Sequence, residues 1–65
     1  MPDVTVDNQE SVTLFTLHTE NAREWITENV ELEPYQWMGQ NAFAVEYRYA
    51  VELVSGMNEE GLLVE

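Results

Sequence analysis

The chain has 65 residues, and its 13 Asp and Glu against 2 Arg give a formal charge of −11. It has no cysteine, so disulfides and thiolate zinc sites are excluded, and a single histidine, His18, cannot substitute for them. Arg23 and Arg48 are too few to displace counterions from phosphates, which disfavours direct binding to nucleic acid or to an anionic membrane.

Residues 1–10 are polar and acidic, with only Val4 and Val6 alternating, and read as a flexible acidic lead-in, or a frayed strand extension, to one domain spanning 11–65. Ser11 to His18 is the clearest strand, with Val12, Leu14 and Thr16 alternating against Thr13, Phe15 and Leu17. Apolar groups on both faces make it a central strand. Thr19 is placed to cap a helix, and Glu20 follows where the helix dipole favours an anion. From Glu20 to Val30, Ala22, Trp25, Ile26 and Val30 share one helical face. Glu20, Glu24 and Glu28 line the opposite face at i, i+4 spacing, each like-charge pair costing roughly 0.2–0.5 kcal/mol. Pro34 ends the helix.

Tyr35–Met38 and Ala42–Val45 flank Gly39-Gln40-Asn41 and predict a hairpin, with Phe43 and Val45 on one face and Ala42 and Ala44 on the other. From Glu46 the period changes. Tyr47, Ala50, Val51, Val54 and Met57 (or Leu53) recur at three and four residues, which predicts a helix to Glu60 with Arg48 and Glu52 on its exposed flank. Gly56 lies inside that helix and costs up to about 1 kcal/mol relative to alanine, which either the close approach of another backbone or an early end of the helix would explain. Gly61 suits a helix C-terminus, and Leu62-Leu63-Val64 reads as a last short strand. The expected fold is therefore α+β, a compact β-α-β-β-α-β chain of ferredoxin-like order with two helices on one face of a short sheet.

Few residues point to chemistry. His18 ends a strand beside a helix start, where a general base or metal ligand is one reading and a half-exposed strand terminus the plainer one. Glu31 with Glu33, and Glu59 with Glu60, form carboxylate pairs that arise by chance among 13 acids, and Asp3, Asp7, Asn8 and Glu10 have neither the spacing nor the glycine of a calcium loop, so solvated surface is the better reading. No catalytic residue, metal or cofactor is assigned, and an enzyme is not expected. Tyr47, Arg48 and Tyr49 make the densest polar–aromatic cluster, a residue mix favoured at interface hot spots. The plainer reading puts Tyr47 inward, Arg48 against Glu52 and Tyr49 on the surface. Trp37 reads as a lid on the core or, if exposed, as an anchor for a partner.

Trp37-Met38-Gly39, Ala44 to Tyr49, Gly56-Met57 and Gly61-Leu62, together with Ala22 to Ile26, resemble a pattern in small uncharacterised proteins of bacteriophages and mobile elements. The resemblance spans residues 14 to 64, and the position of Tyr47 is more often histidine in that pattern. It implies a genomic setting and a small α+β domain, and it carries over no catalytic residue.

The composition is 45% hydrophobic, which suits a folded domain, and the N-terminus has neither a positive nor an apolar signal region, so the cytoplasm is the expected compartment. The expected function is a non-enzymatic interaction module that binds a basic protein surface, through the row Glu20, Glu24 and Glu28 or through an apolar sheet face left bare. The alternative is a DNA mimic, because the row approaches the phosphate repeat of a nucleic-acid strand. High charge for solubility or for life in high salt gives the same composition. A homodimer is favoured over a monomer if one sheet face is bare.

Overall fold

The computed structural model describes residues 1–65. The chain forms β1 (Val4–Asn8), β2 (Val12–Leu17), α1 (Glu20–Asn29), a 3-10 turn (Pro34–Gln36), β3 (Ala42–Glu46) and α2 (Tyr47–Glu59). β2 is central in a three-stranded sheet of order β1-β2-β3, and both pairings are antiparallel. The result is an α+β domain, but its order is β-β-α-β-α, which corrects the expected β-α-β-β-α-β order. A split βαβ unit joins two parallel strands through a helix, whereas here α1 connects β2 to β3, which are neighbours and antiparallel.

Three local outcomes account for the difference. Residues 4–8, assigned to a flexible lead-in, are instead the strand β1. Its two valines are a short signal, but Val4 lies opposite Leu17 and Val6 opposite Phe15, so pairing with β2 buries Val4 completely. The segment Tyr35–Met38 is not a hairpin arm. Pro34 presets the backbone of a helical turn, Glu33 and Gln36 close a capping box around it, and Trp37 alone bridges to Phe43. Gly39, at φ +85°, then reverses the chain, a conformation open mainly to glycine. Leu62–Val64 contributes one parallel bridge, Val64 to Val4, rather than a strand.

The faces of β2 and β3 follow the expected alternation. Thr13, Phe15, Leu17, Phe43 and Val45 point to the core, where the Phe15 and Phe43 rings stack with centroids 5.0 Å apart. Thr13 is the one buried polar residue, and its hydroxyl donates to Asn8 Oδ1 at 2.9 Å. Ala22 and Ile26 of α1 and Ala50, Leu53 and Met57 of α2 complete the same core, so both helices cover one face of the sheet. The other face, with Val12, Leu14, Ala42 and Ala44, has no helix over it.

Thr19 caps α1 as its position predicts, its Oγ1 accepting from the Ala22 N–H at 3.2 Å. Where α1 crosses α2, Gly56 faces the Trp25 ring: a Cβ there would lie 3.0 Å from Cζ2. Glycine is needed against a side chain, not against a backbone. α2 is rotated from the expected stripe. Ala50, Leu53 and Met57 are buried and Tyr49 packs partly against the core, whereas Tyr47 is 61% and Val51 52% exposed. The helix carries two interleaved apolar stripes. The fold uses the one whose small Ala50 lets the helix settle on the sheet and whose long Leu53 and Met57 fill the space beyond.

Candidate functional site

α1 places Glu24 and Glu28 one turn apart on its exposed side, with Trp25 between them and half-buried. The turn after α2 brings Glu60 and Gly61 back toward the start of β1, and Gly61 at φ +84° supplies the left-handed residue that ends the helix. Asp3, Glu24, Glu28 and Glu60 thus come from three separate segments to line one open cleft of about 340 Å³, with Trp25, Asn21 and Asn29 on its walls.

Asp3 is fixed within this cleft. Its Oδ2 accepts from the Leu63 N–H at 2.9 Å, and its Oδ1 accepts from the Thr19 hydroxyl at 2.6 Å. The Leu63 N–H, followed by the Thr19 hydroxyl, holds its carboxyl below the usual carboxylate range. Asp3 therefore stays charged while it ties the N-terminal segment to the α1 cap and to the chain leaving α2. The Asn29 side chain donates to the Trp25 C=O at 3.0 Å and closes the end of α1 at the same cleft.

The sequence-derived candidates divide among different places. Glu24 and Glu28 enter the cleft, but Glu20, although exposed on the same helix, does not line it. Trp37 is half-buried with its ring edge-on to Phe43 at 5.4 Å, a lid on the core. Tyr47 lines a second, apolar groove of about 230 Å³ with Val6, Ala50, Val51 and Val54. Arg48 is exposed beside that groove without lining it, and Tyr49 turns toward the core, which reverses the expected roles of Tyr47 and Tyr49. His18 lies outside both clefts, with Nε2 3.0 Å from the Thr5 hydroxyl. No group of three or more His, Asp or Glu side chains is arranged to hold a metal ion.

Asp3, Trp25 and Glu60 were not legible as site residues. Asp3 sat in a segment with a weak strand signal, Trp25 read as core, and Glu60 as one of many solvated acids. Only the return of the chain beside β1 brings them together. No helix is long and apolar enough to cross a membrane. Compared with known proteins, the chain matches no family model, and no curated protein or solved structure is similar to it.

Proposed function

We propose that this protein is a non-enzymatic interaction module, an accessory protein of a phage or mobile element acting in the cytoplasm, that binds a basic segment of a partner protein in the cleft beside Trp25. The observation that carries this reading is the convergence of Asp3, Glu24, Glu28 and Glu60 from three segments around one aromatic side chain. A guanidinium fits such a place, because carboxylates accept its planar fork of donors and an indole face attracts the cation. The formal charge of −11 adds long-range attraction for a basic surface and speeds encounter. Glu20 lies outside the cleft, which favours a pocket for a basic side chain over a linear row that imitates phosphates.

The test is a titration with a blocked hexa-arginine peptide, followed through the indole N–H resonance of Trp25. Saturable movement of that resonance, weakened by Glu24→Gln and Glu28→Gln, supports the reading. Uniform small shifts over all carboxylate-bearing residues, with the Trp25 indole unmoved, contradict it.

A further inference from the structure

The two faces of the sheet differ in character. Alternation sends Phe15, Leu17, Phe43 and Val45 to the helix side, where Thr13 is the only buried polar residue. The opposite side of the same strands joins an apolar patch to a polar rim. Val12 and Leu14 of β2 lie against Ala42 and Ala44 of β3, none of them fully buried, and Met38, whose N–H donates to Ala42 C=O, is exposed at the β3 border. Around the patch, Thr16 is flanked by Thr5, Leu14 by Asp7, and Val12 by Glu46. An apolar centre inside a rim of hydroxyls and carboxylates has the composition of an interface that forms and parts, whereas the helix side has that of a permanent core.

Charge and dimensions select what fits. Asp7 and Glu46 are both exposed and stand on opposite sides of β2, two strand spacings or about 10 Å apart, which is the width of one helix. The six residues of β2 extend about 20 Å, the length of a helix of about 13 residues. Neither arginine offsets the two acids: Arg23 is held by Asn41 ahead of β3, and Arg48 belongs to α2 on the covered side. A second copy laid face to face would set acid against acid over roughly 240 Å², where a stable dimer needs about 800 Å².

We propose that the open face of the sheet docks an amphipathic helix of a partner protein, laid along β2. Its apolar stripe rests on Val12, Leu14, Ala42 and Ala44, and basic residues on its two flanks reach Asp7 and Glu46. The small area places this contact in the weak, transient class. Spacing of the apolar stripe selects the partner, and the flanking charges set its orientation.

The probe is a blocked peptide of about 14 residues with one leucine stripe at helical spacing and lysines on both sides of it. It is titrated to about 1 mM against the whole chain at about 0.15 M salt, with methyl groups observed by NMR. The Val12, Leu14, Ala42 and Ala44 methyls are expected to move and saturate. A peptide of the same composition with its leucines scattered around the helix should bind about tenfold or more weakly. Val12→Lys and, separately, Ala44→Lys should each weaken binding about tenfold or more while the Leu17 and Ile26 methyls keep their positions. Asp7→Asn with Glu46→Gln should remove much of the salt dependence, and Glu24→Gln, Glu28→Gln and Glu60→Gln together should leave affinity within about twofold. Four results overturn the proposal: methyl shifts confined to Val51 and Val54, equal binding of the two peptides, no shift at about 1 mM, or open-face shifts that grow with protein concentration alone, which assign the face to a second copy.

Discussion

Asp3 and Thr19 show how much one pair of polar side chains organises. The Thr19 hydroxyl donates to Asp3 and accepts from the Ala22 N–H, so the helix cap and the N-terminal segment share one atom. Thr19→Ala removes both contacts, and we expect it to cost about 1–2 kcal/mol in a denaturant titration, the upper part of the range for a lost cap. Asp3 carries a pH signature. Its folded carboxyl titrates below the unfolded value of 3.8, so its contribution is complete above that value and is lost as pH falls through the lower folded value. The difference in melting temperature between the wild type and Asp3→Asn should therefore be constant from neutral pH down to about 5 and shrink below about 3.8. A difference that persists unchanged in strong acid contradicts a charged Asp3 tie. Little of this was legible beforehand. The cap was, because Thr19 precedes an apolar period of helical spacing. Asp3 was not, because its partners Thr19 and Leu63 lie 16 and 60 residues away in the chain.

Secondary-structure elements follow local pattern where the pattern has one solution. β3 and α1 do so, since the large Phe43 and Val45 against Ala42 and Ala44 and the Ala22–Ile26 spacing each define a single buried face, whereas β2 is plain as a strand but has apolar groups on both sides, and packing decides that Phe15 and Leu17 turn inward. α2 has two solutions. Tyr47, Ala50, Val51 and Val54 and the set Ala50, Leu53 and Met57 both fit the helical period, and only packing against the sheet selects between them. Mutation separates the two stripes. Leu53→Ala should cost about 2–5 kcal/mol, whereas Val51→Ala should change stability by less than about 0.5 kcal/mol. Equal losses at both positions would place the helix in the other rotation. β1 was hidden for a related reason, since two valines do not announce a long-range pairing, and Leu62–Val64 was legible as extended while its partner Val4 was not.

For the whole molecule, charge and size set the terms. The longest dimension is 27 Å, and the Debye length at 0.01 M salt is about 30 Å, so at low salt every carboxylate senses every other. Raising the salt to about 0.1 M shortens that range to about 10 Å and relieves self-repulsion. The melting temperature should rise by several degrees, since about 1 kcal/mol moves a domain of this size by about 4–8 °C. A flat or falling melting temperature contradicts this. The bare sheet face is a weak basis for a homodimer. Three strands about 4.8 Å apart and five residues long at about 3.4 Å each offer roughly 240 Å². A stable dimer buries about 800 Å² per partner, so a second copy would need the groove beside α2 or the cleft as well.

The most direct measurement compares two triple variants of identical net charge for binding to the hexa-arginine peptide at fixed salt. One carries Glu24→Gln, Glu28→Gln and Glu60→Gln in the cleft, and the other carries Glu10→Gln, Glu31→Gln and Glu52→Gln outside it. If the cleft holds the basic segment, the first loses affinity about tenfold or more while the second stays within about twofold of the wild type. Equal losses in the two would mean that diffuse charge binds the peptide and that the cleft beside Trp25 is not a site.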